Sequence, residues 1–82
     1  MEAIVLWRLA RDGSTMICRV LAINEAGSLR LAYDLVERWP GAPDGVLKKL
    51  FFDRRALAPE DLVDVAETRR RALVAQGWAA VA

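Results

Sequence analysis

Histidine is absent from this 82-residue chain, and cysteine occurs only once, as Cys18. Without histidine the chain lacks the commonest general base and the commonest metal-binding side chain. A single cysteine excludes an internal disulfide and a zinc site built from several cysteines. We therefore expect no metal and no cofactor, we assign no catalytic residue, and we expect the protein not to be an enzyme.

Phosphate-binding glycine loops are also missing, and hydroxyl side chains are scarce, with two serines and two threonines. The net charge of +1 gives no strong overall field toward nucleic acid or anionic lipid. The longest apolar runs have five residues, at 3–7 and 78–82, whereas a membrane-spanning helix needs roughly twenty. The first residues include Glu2 and no basic n-region, so we expect no signal peptide, no membrane contact and a cytoplasmic protein.

Apolar side chains are present in excess, at 55% of the residues. A chain of this length is expected to form one folded domain that spans residues 1–82. A small domain with surplus apolar residues often shares them with a partner. The composition therefore directs attention to the pattern in which these side chains are arranged.

Three segments have the apolar, β-branched character of strands, at residues 4–10, 15–23 and 28–35. Asp12 and Gly13 form a two-residue hairpin signal between the first two. Residues 24–27 are predicted to form a four-residue turn between the second and third. These turns predict that Trp7 lies opposite Cys18 and that Cys18 lies opposite Tyr33.

This register divides the side chains between two faces of the sheet, because paired residues point to the same side. The predicted core face carries Val5, Trp7, Leu9, Met16, Cys18, Val20, Ala22, Leu29, Leu31, Tyr33 and Leu35. The predicted opposite face carries Ile4, Leu6, Arg8, Ile17, Arg19, Leu21, Ile23, Ser28, Arg30, Ala32 and Asp34.

The second half of the chain contains one ambiguous segment and one clear helix. Residues 46–52 fit either a fourth strand or a helix, and we favour the strand because one more hairpin is the shortest topology. Pro59 suits a helix start and Gly77 suits the position just after a helix end. The apolar stripe of this helix comprises Leu62, Val65, Ala66, Leu73 and Val74. The predicted fold is α+β: an antiparallel β-meander of three to four strands with one C-terminal helix packed on one face, in the order ββββα.

The order of several short motifs supports this layout. They are Leu-Trp-Arg-Leu at residues 6–9, Arg-Asp-Gly at 11–13, Cys-Arg-Val at 18–20, Phe-Phe-Asp with Ala-Leu in 51–57, and Leu-x-x-x-Gly-Trp at 73–78. The chain thereby resembles small bacterial ββββα proteins and is distantly similar to WGR-type domains, which can contact nucleic acid. The resemblance implies the fold along most of the chain. The Trp-Gly-Arg signature is absent, so the resemblance transfers no functional residue.

The predicted opposite face is the main candidate for a binding surface. It mixes large aliphatic side chains with arginine, whereas a solvated face is more polar, and arginine is enriched at protein interfaces. The candidate interface comprises Ile4, Leu6, Arg8, Ile17, Arg19, Leu21, Ile23 and Arg30. We expect a non-enzymatic interaction module of unknown process that self-associates as a homodimer, or binds another protein, through this face. This hypothesis predicts that Leu21→Asp abolishes association without unfolding the monomer.

Two alternatives stay open. The first is a nucleic-acid-binding accessory protein that uses the basic helix end, with contacts from Lys48, Lys49, Arg69, Arg70 and Trp78. The competing explanation of these arginines is structural: they pair with Glu67 and cover the edge of the core. The second alternative is a small-ligand binder or an enzyme with a site at a dimer seam. Cys18 points into the predicted core, where we expect it to pack as a small apolar side chain.

Overall fold

The computed structural model describes residues 3–25, 27–53 and 58–81 of the chain. Its elements are β1 (Ala3–Arg11), β2 (Ser14–Glu25), β3 (Ser28–Arg38), β4 (Lys48–Asp53), α1 (Pro59–Ala75) and β5 (Ala79–Ala80). The strands form one antiparallel sheet in the order β4-β3-β2-β1-β5. The predicted ββββα fold is confirmed, including the strand favoured for the ambiguous segment. The short β5, which follows the helix, was not predicted.

The β1–β2 hairpin has the predicted two-residue turn. Asp12 and Gly13 both have positive φ, 52° and 82°, as this tight turn requires. The turn pairs Leu9 with Met16, which confirms the predicted register next to the turn.

A β-bulge changes the register farther along β1. Leu6 is an extra residue between Val5 and Trp7, so Val5 lies opposite Arg19 and Ile4 lies opposite Val20. One unpaired residue reverses the in-and-out alternation of every residue beyond it. The prediction that Ile4 shares a face with Arg19 is therefore wrong, and Val5 takes that place; Leu6, predicted on the same face, is the unpaired residue of the bulge.

The β2–β3 turn is shorter than predicted. Glu25 already pairs with Ser28, and Gly27 supplies a positive φ of 78° within the connection. The register shifts by two residues relative to the prediction, so that Cys18 lies opposite Leu35. A shift by two keeps every side chain on its predicted face, because the side-chain period of a strand is two.

Helix α1 packs on the predicted core face. The buried cluster there comprises Leu9, Met16, Cys18, Tyr33, Leu35, Leu62, Ala66 and Trp78. Trp7 Nε1 donates a hydrogen bond of 3.0 Å to the main-chain oxygen of Ala66, which ties the sheet to the helix. Val74, expected in the apolar stripe of the helix, is exposed instead.

The two ends of α1 have the signals that the sequence predicted. Pro59 lies at the start, followed in the first turn by Glu60 and Asp61, whose charge favours a helix N-terminus. At the other end the Trp78 amide donates to the Leu73 oxygen over 3.1 Å, in the pattern that closes a helix after a left-handed glycine. The chain then turns back to the sheet as β5. No helix in the described ranges is long and apolar enough to cross a membrane.

Candidate functional site

The side of the sheet that faces away from α1 is called the outer face here. Across the part of the chain that the structure describes, no helix or second sheet packs against it, because the only helix lies on the opposite side. Four rows of paired residues cross the described part of this face: Ala3–Leu21–Ala32, Val5–Arg19–Asp34–Phe52, Arg8–Ile17–Val36–Lys49 and Ala10–Thr15–Arg38. The sequence did not place Val5, Val36 or Phe52 here, because the bulge was missed, the third strand was predicted to end at residue 35, and the face of β4 was left undetermined.

An ion pair occupies the centre of the outer face. Arg19 donates through Nε to Asp34 Oδ1 over 2.9 Å and through Nη2 to Oδ2 over 2.6 Å. The carboxylate is 0% exposed, whereas the Arg19 side chain is 24% exposed. The hydrogen bond with Asp34 raises the pKa of Arg19 above its ordinary value. Arg19 lies directly opposite Asp34, and this alignment permits the two-pronged contact that neutralises both charges.

Further buried side chains surround this pair. Ala32 and Val36 on β3 are buried, and Leu21 on β2 is only 6% exposed. Ala32 lies beside Leu21, and Val36 lies between Ile17 and Lys49, so longer side chains on the neighbouring strands flank the smaller ones on β3. Leu21 therefore lies on its predicted face but is already buried within the single chain, so Leu21→Asp would place a carboxylate in a buried position.

The charged side chains that are both described and exposed on the outer face lie toward its margins. Arg8 on β1 and Lys49 on β4 are at the two ends of one row, and Arg38, paired with Asp44 over 3.2 Å, is at the end of β3. Ile17 is partly buried between Arg8 and Lys49, and Lys49 Nζ lies 4.9 Å from the centre of the Phe52 ring. The face thus has an apolar, charge-neutral centre and a cationic rim. The side chains of Ile23 and Arg30, which were also predicted here, lie outside the described residues.

The proposed nucleic-acid contacts do not form one surface. Lys49 belongs to the outer face, whereas Arg69 on α1 stacks on the Phe51 ring on the helix side, 4.5 Å from its centre. Lys48 is exposed on β4. These three basic residues therefore face different directions and form no continuous cationic track of the kind that nucleic-acid binding favours.

Two other members of that set have partners within the fold. Trp78 is only 5% exposed, and the Arg11 guanidinium covers its ring at 4.7 Å, so the ring is not accessible for stacking on a base. Arg70 forms a two-pronged ion pair with Glu67, as the structural interpretation predicted. Hydrogen bonding from Arg70 lowers the pKa of the Glu67 carboxyl to about 2.

An open groove lies between α1 and the β3–β4 side of the sheet. Its volume is about 480 Å³, and it is lined mainly by Tyr33, Phe51, Asp64, Thr68 and Arg69. The Thr68 hydroxyl already donates to the main-chain oxygen of Asp64 over 2.9 Å, as a helix side chain commonly does. The groove is within one chain, so it is not the dimer-seam site that the sequence left open.

The described residues offer neither a reactive cysteine nor a cluster of metal-binding side chains. Cys18 is fully buried in the core, and burial, with the nearby negative charge of Asp34, raises the pKa of its thiol to about 11. A thiol with that pKa is a packing group rather than a nucleophile at neutral pH. No group of three acidic, cysteine or histidine side chains is placed to hold a metal ion among the residues with described positions.

Comparison with known proteins adds no assignment. The chain matches no protein-family model, no curated protein and no solved structure. The functional argument therefore depends on the geometry of the molecule itself.

Proposed function

We propose that the protein is a cytoplasmic, non-enzymatic interaction module that binds a second copy of itself through the outer face of its sheet. The observation that carries this proposal is the buried Arg19–Asp34 pair, at the centre of a face that no described element covers. The free, buried Cys18 is compatible with a reducing compartment.

The ion pair lowers the cost of burying this face. Docking normally removes water from charged groups, and that step opposes binding unless the charges are already compensated. Asp34 has lost its water in the single chain and is fully hydrogen-bonded to Arg19. A partner therefore meets a centre whose carboxylate is already desolvated and whose charges are already paired, flanked by the apolar side chains of Ile17 and Phe52.

The charge pattern favours protein over nucleic acid as the partner. Stable protein interfaces have an apolar core that is poor in charge, and a polar rim. The exposed cations Arg8, Arg38 and Lys49 occupy rim positions here, on three different strands. A sheet face that binds nucleic acid would instead present several exposed aromatic rings for stacking.

Size and symmetry favour a second copy as this partner. The two longest dimensions of the molecule, 42 and 28 Å, leave room for the roughly 800 Å² that each partner contributes to a typical stable interface. Two identical faces can pack about a twofold axis without placing like charges at the centre, because Arg19 and Asp34 neutralise each other. Twofold dimers are the commonest soluble assemblies.

Absolute mass from light scattering behind size exclusion, measured over a wide concentration range, tests this proposal. Ile17→Lys places a third cation in the row between Arg8 and Lys49, so the variant should have a lower assembly mass than the wild type. Val74→Lys makes the same change in charge on the exposed side of α1 and should leave the mass unaltered. Circular dichroism must show that both variants are folded. A wild-type mass unaffected by Ile17→Lys would overturn the proposed interface.

A further inference from the structure

The β1 edge and the β4 edge of the sheet differ in how they are protected from pairing with another strand. On the β1 edge, β5 pairs only with Leu9 and Ala10, and the hydrogen bond nearest to the start of β1 runs from the Val81 amide to the Arg8 oxygen over 3.2 Å. From Ala3 to Trp7 the side of β1 that faces away from β2 has no strand partner within the described ranges. This segment is called the open edge below.

The hydrogen-bond pattern fixes which main-chain groups the open edge presents. The peptide groups of Arg8 face β5, as the bond from Val81 shows, so Arg8 and Ile17 form a pair without mutual hydrogen bonds. Arg19 lies two residues after Ile17 and has the same orientation, toward β3. Val5, opposite Arg19, therefore directs its N–H and C=O away from β2.

The same alternation applies one step farther. Ala3 lies two residues before Val5 and opposite Leu21, so its peptide groups also face outward. Ile4 between them directs its peptide groups toward β2. The open edge thus presents two outward peptide units, at Ala3 and Val5, separated by one residue.

The side chains of the open edge are apolar and accessible. Ile4 is 65% exposed, and Val5 and Leu6 are each more than one-third exposed, so three consecutive aliphatic residues contact water. The segment contains no charge and no proline, the usual protections of an edge strand. The β4 edge, in contrast, begins with Lys48 and Lys49.

We propose that the open edge pairs with the same segment of a second copy, antiparallel, about a twofold axis that passes between the two Ile4 residues. In this register Ala3 lies opposite the second copy's Val5, and each such pair exchanges both of its hydrogen bonds. The two Ile4 side chains meet on the helix side of the sheet, which covers the most exposed large apolar residue of the described chain.

Self-complementarity selects a second copy over a different strand. The paired segment carries no charge, so its twofold repeat brings no like charges together. A twofold axis perpendicular to the sheet keeps both copies of α1 on one side and both outer faces on the other. The product is a continuous ten-stranded sheet with a doubled outer face.

This edge contact is independent of the proposed outer-face contact. The edge contact uses a twofold axis perpendicular to the sheet and the outer-face contact one parallel to it, and we propose that these axes intersect, which closes a tetramer. The wild-type chain is therefore expected to have the mass of four copies, decreasing to two when either interface is removed.

Light scattering of an Ile4→Lys variant tests the edge contact. The substitution places two ammonium groups opposite each other and uses the residue type that protects natural edges. Val63→Lys is the matched control, because Val63 is 56% exposed on α1, far from the edge. We expect Ile4→Lys to halve the wild-type mass and Val63→Lys to leave it unchanged, with circular dichroism confirming that both are folded.

A mixing experiment tests the register itself. Isotope-labelled Ile4→Lys and unlabelled Ile4→Glu chains are combined, and the species are counted by native mass spectrometry. If residue 4 lies opposite residue 4, mixed pairs exceed the statistical proportion because opposite charges meet. A statistical mixture would overturn this register.

The outcomes separate the two interfaces. If Ile4→Lys leaves the wild-type mass unchanged, the edge proposal is wrong, whatever Ile17→Lys does. If Ile4→Lys reduces the mass to that of one chain and Ile17→Lys has no effect, the edge proposal holds and the outer-face proposal is wrong. A wild-type chain that is monomeric at every concentration overturns both.

Discussion

On the helix side of the sheet, Cys18 and Tyr33 are buried because α1 covers them; on the outer face, Asp34 and Val36 are buried to the same degree although no described element lies over them. The helix side is closed by packing between layers. On the outer face, side chains of the same sheet shield β3 from water. A small or ion-paired residue on β3 lies between longer side chains on the neighbouring strands. Burial of a central strand therefore does not by itself show that both faces are covered.

Matched leucine truncations should give the largest difference between the two faces. Leu62→Ala removes a buried contact between α1 and the sheet, and we expect a loss of about 3 kcal/mol because the fitted core leaves a cavity. Leu21→Ala on the outer face should cost about 2 kcal/mol or less, because no described layer packs over the space it leaves. Urea unfolding of both variants at one protein concentration measures this, and equal losses would contradict the comparison.

Removal of the Asp34 carboxylate should have the next largest effect. Asp34→Ala leaves the Arg19 guanidinium without its partner, and we expect a loss of about 2 kcal/mol. The loss falls below that of a fully buried pair because Arg19 is partly exposed and can turn to water. Replacing both residues, as Arg19→Met with Asp34→Leu, should recover much of the stability. A double variant less stable than Asp34→Ala would show that the pair contributes more than mutual neutralisation.

A smaller effect is expected on the helix side. Trp7→Phe keeps an aromatic ring but removes the donor to the Ala66 oxygen, which should cost about 1 kcal/mol. Hydrogen exchange at amides of α1 should accelerate more than exchange in the β2–β3 pair, because this bond holds the helix to the sheet. Uniform acceleration would indicate general destabilisation instead.

The exposed surface of α1 should give the smallest effect. In the folded chain the pKa of Glu67 is lowered to about 2, mainly by hydrogen bonding from Arg70. The interaction therefore stabilises the fold fully at pH values above 4.5, the ordinary pKa of the carboxyl. The contribution is lost as pH falls from about 4.5 toward 2. The stability difference between wild type and Glu67→Gln should therefore shrink in that range and also with added salt. A difference that is constant with pH would contradict the ion pair.

Local signals predicted most of the fold, because each works over a few residues. Asp12 and Gly13 defined one turn, and Pro59 and Gly77 marked the limits of α1. The length of the second turn was wrong by two residues, yet the faces survived because a strand repeats every two residues.

The candidate site was predicted less well, because its errors depend on tertiary detail. No residue type indicates the bulge at Leu6, and that single residue moves Ile4 from the outer face to the helix side of the sheet. The burial of Leu21 reflects neighbouring strands rather than its own sequence context. The sequence indicated the ion pair only by placing Arg19 and Asp34 on one face. That the two residues lie directly opposite each other followed only from the true length of the β2–β3 turn.

The pairing of β5 with β1 also has a kinetic consequence. Leu9 and Ala80 are adjacent in the sheet although nearly the whole described chain separates them. Contacts between such distant residues form late, because closing a long loop costs entropy before any contact compensates for it. We expect the β1–β2–β3 meander to organise first during synthesis, while Trp78 and its pocket under Arg11 remain apart. The pairing of β5 with Leu9 and Ala10 therefore waits until residues 79–80 have left the ribosome.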